Sequence, residues 1–138
     1  MSRRTAREVA MKLAFARMFG GDDTYEAILE QSGITETPKQ EDIDFSNELL
    51  SGVADNEDKI DSIIGELSIG WEIQRISKVE LCILRISIFE ILYCDCISDS
   101  VSINEAVELA KRFGDVSSSS FVNGILGTLS RKKTAEDQ

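Results

Sequence analysis

The chain has 138 residues, no histidine, three cysteines and a formal net charge of −10. That length suits one domain with a core of its own, and the absence of histidine removes Ser-His-Asp and Cys-His catalysis and most transition-metal chemistry. No G-x-x-x-x-G-K-S/T loop, no G-x-G-x-x-G fingerprint and no recognisable acid/base carboxylate pattern occurs, so neither catalysis nor a cofactor is expected.

The charge is distributed unevenly. Residues 1–18 carry Arg3, Arg4, Arg7, Lys12 and Arg17 against Glu8 alone, a net +4, and the remaining 120 residues carry −14. An acidic body with a basic end suits a local anion site rather than a general nucleic-acid coat. The arginines precede no apolar run, so no secretory signal is expected. An odd set of cysteines, Cys82, Cys94 and Cys96, argues against a disulfide framework and for a reducing cytoplasm. The pair Cys94-x-Cys96 is too tight for the common zinc spacings, so plain thiols and no metal are expected.

In chain order, Ser2 caps a first helix from Arg3 to about Phe19, stopped by Gly20-Gly21. At about 100° per residue, Ala6, Val9, Leu13 and Ala16 share one face, and Arg3, Arg4 and Arg7 another. Phe15 returns close to the direction of Arg4. That row admits two readings. One is a solvated arginine face with Phe15 packed in a seam. The other is a single-stranded RNA surface, with guanidinium groups for phosphate and a ring for a base.

Asp23 or Thr24 opens a short second helix ending near Gly33, and residues 34–40, with Pro38, form a loop. A third helix spans Glu41 to Ala54. Asp55 or Asn56 caps a fourth, Glu57 to about Leu67, with Ile60, Ile63, Ile64 and Leu67 on one side. Ser68–Gly70 breaks it, and Trp71 heads a linking turn wedged against the next element.

That next element, Ser77 to Cys94, is the centre of the chain. Ser77 and Glu80 make an S-x-x-E capping box. Val79, Leu81, Cys82, Ile83, Leu84, Ile86, Ile88, Phe89, Ile91 and Leu92 follow, apolar nearly all round. A helix with one wet face would show a stripe, so this one is surrounded by others. Arg85 and Glu90 interrupt the run, which excludes a membrane span. After a loop at residues 94–100, Ser102 and Glu105 suggest a second box opening a helix from Ile103 to Phe113. Lys111 and Arg112 suit its negative end. Ser117 or Ser120 starts a last helix to about Leu129, whose Gly124 and Gly127 imply close approach of a neighbour or ligand. Residues 131–138 look frayed. About seven helices and no strand make an all-α, compact helical bundle.

Four stretches, RRTAREVAMKLAF at 3–15, VELCILRISIFEI at 79–91, INEAVELAKRFG at 103–114 and SSSFVNGIL at 118–126, together resemble the NusB family of transcription antitermination factors. The resemblance spans nearly the whole chain in the same order. It implies a single RNA-binding domain of seven helices in two helical halves, residues 1–70 and 71–132, followed by a frayed tail at 133–138. It also implies a cytoplasmic adaptor, not an enzyme. Such a protein pairs with NusE, a small-subunit ribosomal protein, to hold boxA RNA of ribosomal RNA leaders. It then joins NusA, NusG and RNA polymerase against Rho-dependent termination.

By that resemblance Arg3, Arg4 and Arg7 are phosphate contacts, and Ser117, Phe121 and Asn123 belong to the RNA site. Phe15 and Glu80 face NusE. Phe15 stands where the family commonly has tyrosine, Ser117 where it is often acidic, and residues 115–120 carry no cation. Few cations beyond residues 3–17 and the two short clusters at 111–112 and 131–133 imply weak RNA affinity for the chain alone, with NusE supplying positive surface. Two other readings stay open: a protein-interaction module or homodimer using the first helix face, and a NusB-like accessory domain in ribosomal RNA processing.

Overall fold

The structure, a computed structural model, describes residues 2–68 and 75–136. Trp71, the end of the break expected at 68–70 and the last two residues lie outside that description, as does the Ser2 side chain. Among the described residues there are six helices and no strand: α1 (Ser2–Met18), α2 (Tyr25–Gln31), α3 (Gln40–Leu67), α4 (Lys78–Tyr93), α5 (Asp99–Phe113) and α6 (Ser118–Glu136).

α4 begins as its sequence dictates. The Glu80 N–H donates to Ser77 Oγ at 3.1 Å, and the Ser77 N–H donates back to Glu80 Oε1 at 3.2 Å. Leu81, Cys82, Ile83, Leu84, Ile86, Ile88 and Ile91 are all buried, on every side of the helix. Helices α1, α3, α5 and α6 pack around it. Each Leu or Ile so buried contributes about 1.5–3 kcal/mol, so α4 is the main source of cohesion. Its two charged interruptions are both paired. Arg85 Nε and Nη2 donate to the Asp61 carboxylate of α3 at 2.9 and 2.8 Å, and Glu90 accepts from α1.

The ends of α1 and α2 use glycine at positive φ. Gly20 (φ 84°) lets the Gly20 and Gly21 amides close on the Arg17 and Ala16 carbonyls, and Gly33 (φ 70°) does the same after α2. Thr24 Oγ1 accepts from the Ala27 N–H and caps α2.

Several expected boundaries move. The third and fourth helices are one run, α3, with a single non-helical residue at Asn56 (φ −122°, ψ 16°). The Asn56 amide donates to the Gly52 carbonyl at 2.8 Å, so the residue expected as a cap satisfies the preceding turn and bends the helix without ending it. α5 starts at Asp99, not Ile103: Ser98 Oγ takes the Val101 N–H, and Ser102 lies inside the helix. α6 continues through the segment expected to fray, as far as Glu136. Lys133 holds it there, donating to the Ile91 carbonyl at 2.8 Å and to Asp99 Oδ1 at 3.1 Å. Among the described residues no neighbour packs against Gly124, where a Cβ would meet nothing within 4 Å, and at Gly127 a Cβ would meet the Arg131 side chain.

Candidate nucleic-acid interface

Arg3, Arg4 and Arg7 of α1 occupy three different environments. Arg3 is exposed, its guanidinium carbon 4.1 Å from the centre of the Phe45 ring, and it has no carboxylate partner among the described residues. Arg4 gives Nε and Nη2 to Glu105 Oε1 and Oε2 at 3.0 and 2.8 Å, a forked pair in which the arginine side chain stays 57% exposed. Arg7 makes the same fork with Glu90, at 2.9 and 2.8 Å, but its side chain is 6% exposed and that of Glu90 2%. Ser102 Oγ donates to Glu90 Oε1 at 3.1 Å. Arg7 thus leaves the exposed row expected of it. The cause lies in α4: a carboxylate on a helix buried all round needs an internal cation, and Arg7 is that cation.

Glu8 is a second junction. Its carboxylate accepts from Lys12 Nζ and Arg112 Nη1, both at 2.8 Å. Lys12 also donates to Ser32 Oγ at 2.7 Å, so α1, α2 and the end of α5 are tied together. Burial pushes the Glu8 carboxyl up, but the bonds from Lys12 and Arg112 outweigh it and leave the group below its ordinary range. Glu105 is also lowered, first by the Arg4 hydrogen bond, against some burial.

Phe15 is exposed beside Phe19, ring centres 5.2 Å apart. It borders an apolar groove with Met11, Ile28, Val79 and Phe113. Glu80 opens on a different side. It lines a cleft of about 280 Å³ with Arg75, Asp115, Ser117 and Phe121. Val79 and Glu80, adjacent in sequence, therefore border the two hollows. Both Glu80 oxygens are engaged: Oε1 in the capping box and Oε2 by Ser118 Oγ at 2.6 Å. Ser117 is exposed, and its N–H and Oγ donate to Asp115 Oδ1 at 3.0 and 2.9 Å. Those bonds hold the Asp115 carboxyl below its ordinary range. Phe121 is half-buried in the cleft, and Asn123, two residues on and so on the other side of α6, is exposed.

The structure therefore brings Ser117, Phe121 and Glu80 together, and places Arg3 and Arg4 on α1. Ser118, Ser102, Glu90 and Glu105 take part in these arrangements and were missed by the sequence reading. Ser102 and Glu105 had carried the only available signal, as an S-x-x-E pair assigned to a cap. The thiols are plain: burial pushes Cys82 and Cys94 up to about 11, and Cys96 is exposed. Among the described residues no cluster suits a metal and no helix is long and apolar enough to cross a membrane.

Residues 4–131 match the NusB family. The chain belongs to that family. It is 42% identical to the transcription antitermination protein NusB of Carboxydothermus hydrogenoformans over 131 residues, 92% of this chain and 91% of the relative. Among solved structures, T. maritima NusB superposes with a TM-score of 0.79 at 33% identity, covering 94% of this chain and 90% of that one. A structure of the antitermination factors NusB and NusE in complex with dsRNA shares the NusB fold, with a TM-score of 0.78 at 22% identity over 95% and 97% of the two chains. The arrangement of helices around α4 is thus the family's fold.

Proposed function

We propose that this chain is a transcription antitermination factor that holds boxA-type RNA of ribosomal RNA transcripts jointly with NusE. The observation that carries the reading is the match, along nearly the whole chain, to an antitermination protein at 42% identity. The chain acts as a cytoplasmic adaptor, not an enzyme. With NusE it joins NusA, NusG and RNA polymerase and helps the polymerase resist Rho.

The geometry supports unequal roles for the site residues. Arg3, free of carboxylates among the described residues, makes the first phosphate contact, and Arg4 the second. Arg7 belongs to the site by orienting α1 through Glu90. Phe121 offers a ring in its cleft, beside Ser117, and Asn123 offers an exposed amide two residues on. Phe15 and the α4 start at Val79 and Glu80 meet NusE. Internal pairing of Arg112 with Glu8 and of Lys133 with Asp99 leaves few cations for phosphate. That supports weak RNA binding by the chain alone and a large contribution from the partner.

Fluorescence anisotropy of a boxA RNA, titrated with the chain alone and premixed with NusE, tests this. NusE strengthens binding, salt weakens it, and Phe121→Ala weakens it about tenfold, the size of one lost base stack. Equal and weak binding of boxA and scrambled RNA in the presence of NusE would sink the reading.

A further inference from the structure

A carboxylate is an arginine ligand of nearly the same shape as a phosphate edge: two oxygens that accept from Nε and Nη2 of one guanidinium. At Arg4 that edge is already occupied. Glu105 takes both donors, at 3.0 and 2.8 Å, and its Oε1 also lies 3.9 Å from Arg7 Nη1. Glu105 comes from the second turn of α5, so the pair spans two helices and 101 residues of sequence. Its surroundings differ from those of the neighbouring Arg7 pair. Arg7 and Glu90 are nearly buried, which disfavours exchange with an anion from solvent. Arg4 is more than half exposed while Glu105 is 15% exposed, so the guanidinium faces solvent and the carboxylate sits beneath it.

We propose that Glu105 is a built-in competitor for RNA phosphate at Arg4. The inference rests on Arg4 being a phosphate contact. In the free chain the forked edge of Arg4 belongs to Glu105. An RNA phosphate approaching from solvent takes that edge over, or shares the guanidinium through Nη1, and meets the repulsion of the carboxylate below. Two consequences follow. The chain alone binds RNA more weakly than its row of arginines implies. It also discriminates against isolated, weakly held anions, because only a phosphate held by further contacts displaces an intramolecular ligand. Arg3, which has a ring beneath it rather than a carboxylate, carries no such penalty.

The test compares wild type with Glu105→Gln, Arg4→Ala and the double variant, using a fluorescein-labelled single-stranded RNA from a ribosomal RNA leader across a salt series. Glu105→Gln keeps the side-chain shape and removes the charge. Glu108→Gln serves as a control, since Glu108 is one turn on and pairs with Lys111 at 3.7 Å. Circular dichroism melts establish that each variant is folded. On this proposal Glu105→Gln binds roughly two- to fivefold tighter at low salt, the size of an exposed ion pair. Its dependence of log K on log salt steepens by a fraction of about 0.7, the value of one full phosphate contact on a single strand, because Glu105 no longer shares the Arg4 charge. Both changes vanish in the Arg4→Ala background. If Glu105→Gln binds no tighter while Arg4→Ala weakens binding, Arg4 touches RNA but Glu105 merely positions it, and the proposal is wrong. An equal gain from Glu108→Gln makes the effect one of net charge and also overturns it. If Arg4→Ala changes nothing, the RNA assignment of Arg4 fails and the competitor falls with it.

Discussion

Arg4 and Arg7 stand three residues apart on one helix and grip carboxylates through the same two nitrogens at nearly the same distances. They differ in burial and in what else reaches the carboxylate. The Arg7 pair is sealed between α1 and α4 and receives a third hydrogen bond from Ser102, whereas the Arg4 pair lies open on the rim where α1 meets α5. Identical geometry therefore serves two ends. In the interior a charge that has lost water has no substitute for its partner, so the pair fixes helix packing. At the rim water and other anions compete on equal terms, so the pair is worth little to stability and is free to exchange. A row of arginines in a sequence need not be a row of equivalent contacts.

The largest way to break that comparison is to remove the interior carboxylate. Glu90→Ala leaves Arg7 charged beneath α4 with only Glu105, 3.9 Å away and already held by Arg4, as a carboxylate neighbour, and is expected to lose about 3–5 kcal/mol of stability. Urea denaturation followed by circular dichroism measures it; a loss below about 1 kcal/mol would mean that water reaches Arg7 and that the interior pair behaves like the rim. Ser102→Ala is the milder form. It removes one donor from Glu90 and leaves Arg7 in place, with an expected loss of about 1–2 kcal/mol. A loss as large as that of Glu90→Ala would instead make the serine, not the arginine, the chief partner.

These contrasts explain which features were legible in the sequence. The Ser77–Glu80 box, the glycine stops at Gly20 and Gly33 and the all-round apolar α4 are local: each is written within one or two helical turns, and each appears as expected. Arg7 was misplaced because its partner is 83 residues away. Helical periodicity reports that Arg3, Arg4 and Arg7 share a side of α1, but not that α4 presents an acid to one of them. The α5 start was missed because two serines, Ser98 and Ser102, stand one turn apart, and a cap and a buried donor look alike in a string of residues. The S-x-x-E pattern at 102–105 is real. Its serine serves Glu90 and its glutamate serves Arg4, so the pattern marks the face of α5 turned to α1. At the candidate site, the joining of Ser117, Phe121 and Glu80 in one cleft depends on Ser118 reaching Glu80, a contact across 38 residues.

Between interior and rim lies Glu8, and pH sharpens the comparison there. The folded-state values of Glu8 and Glu105 are lowered from 4.5. The stability they contribute is fully present above that unfolded-state value and is lost as pH falls through the lowered folded values. Stability measured by urea midpoint therefore declines on the acid side of about pH 4.5. In Glu8→Gln that decline is shallower, because one of the contributing carboxylates is gone. An acid limb of unchanged steepness would show that Lys12 and Arg112 do not hold Glu8 more strongly than water does.

The smallest effect on stability is the most discriminating. Arg4→Ala removes the exposed half of the rim pair and leaves Glu105 with Arg7 3.9 Å away as its remaining cation. The urea midpoint is expected to stay at the wild-type value while affinity for single-stranded RNA falls and the salt dependence becomes shallower by less than the about 0.7 of a full phosphate contact, since Glu105 holds part of the Arg4 charge. That separation is what exchangeability means: a contact that RNA uses and folding does not. A fall in midpoint approaching that of Glu90→Ala would place Arg4 among the structural charges, leaving Arg3 as the sole phosphate contact proposed at this end of α1. Unchanged affinity together with an unchanged midpoint would make the Arg4 pair an idle surface bridge, and the phosphate path would then have to run from Arg3 toward the Phe121 cleft without it.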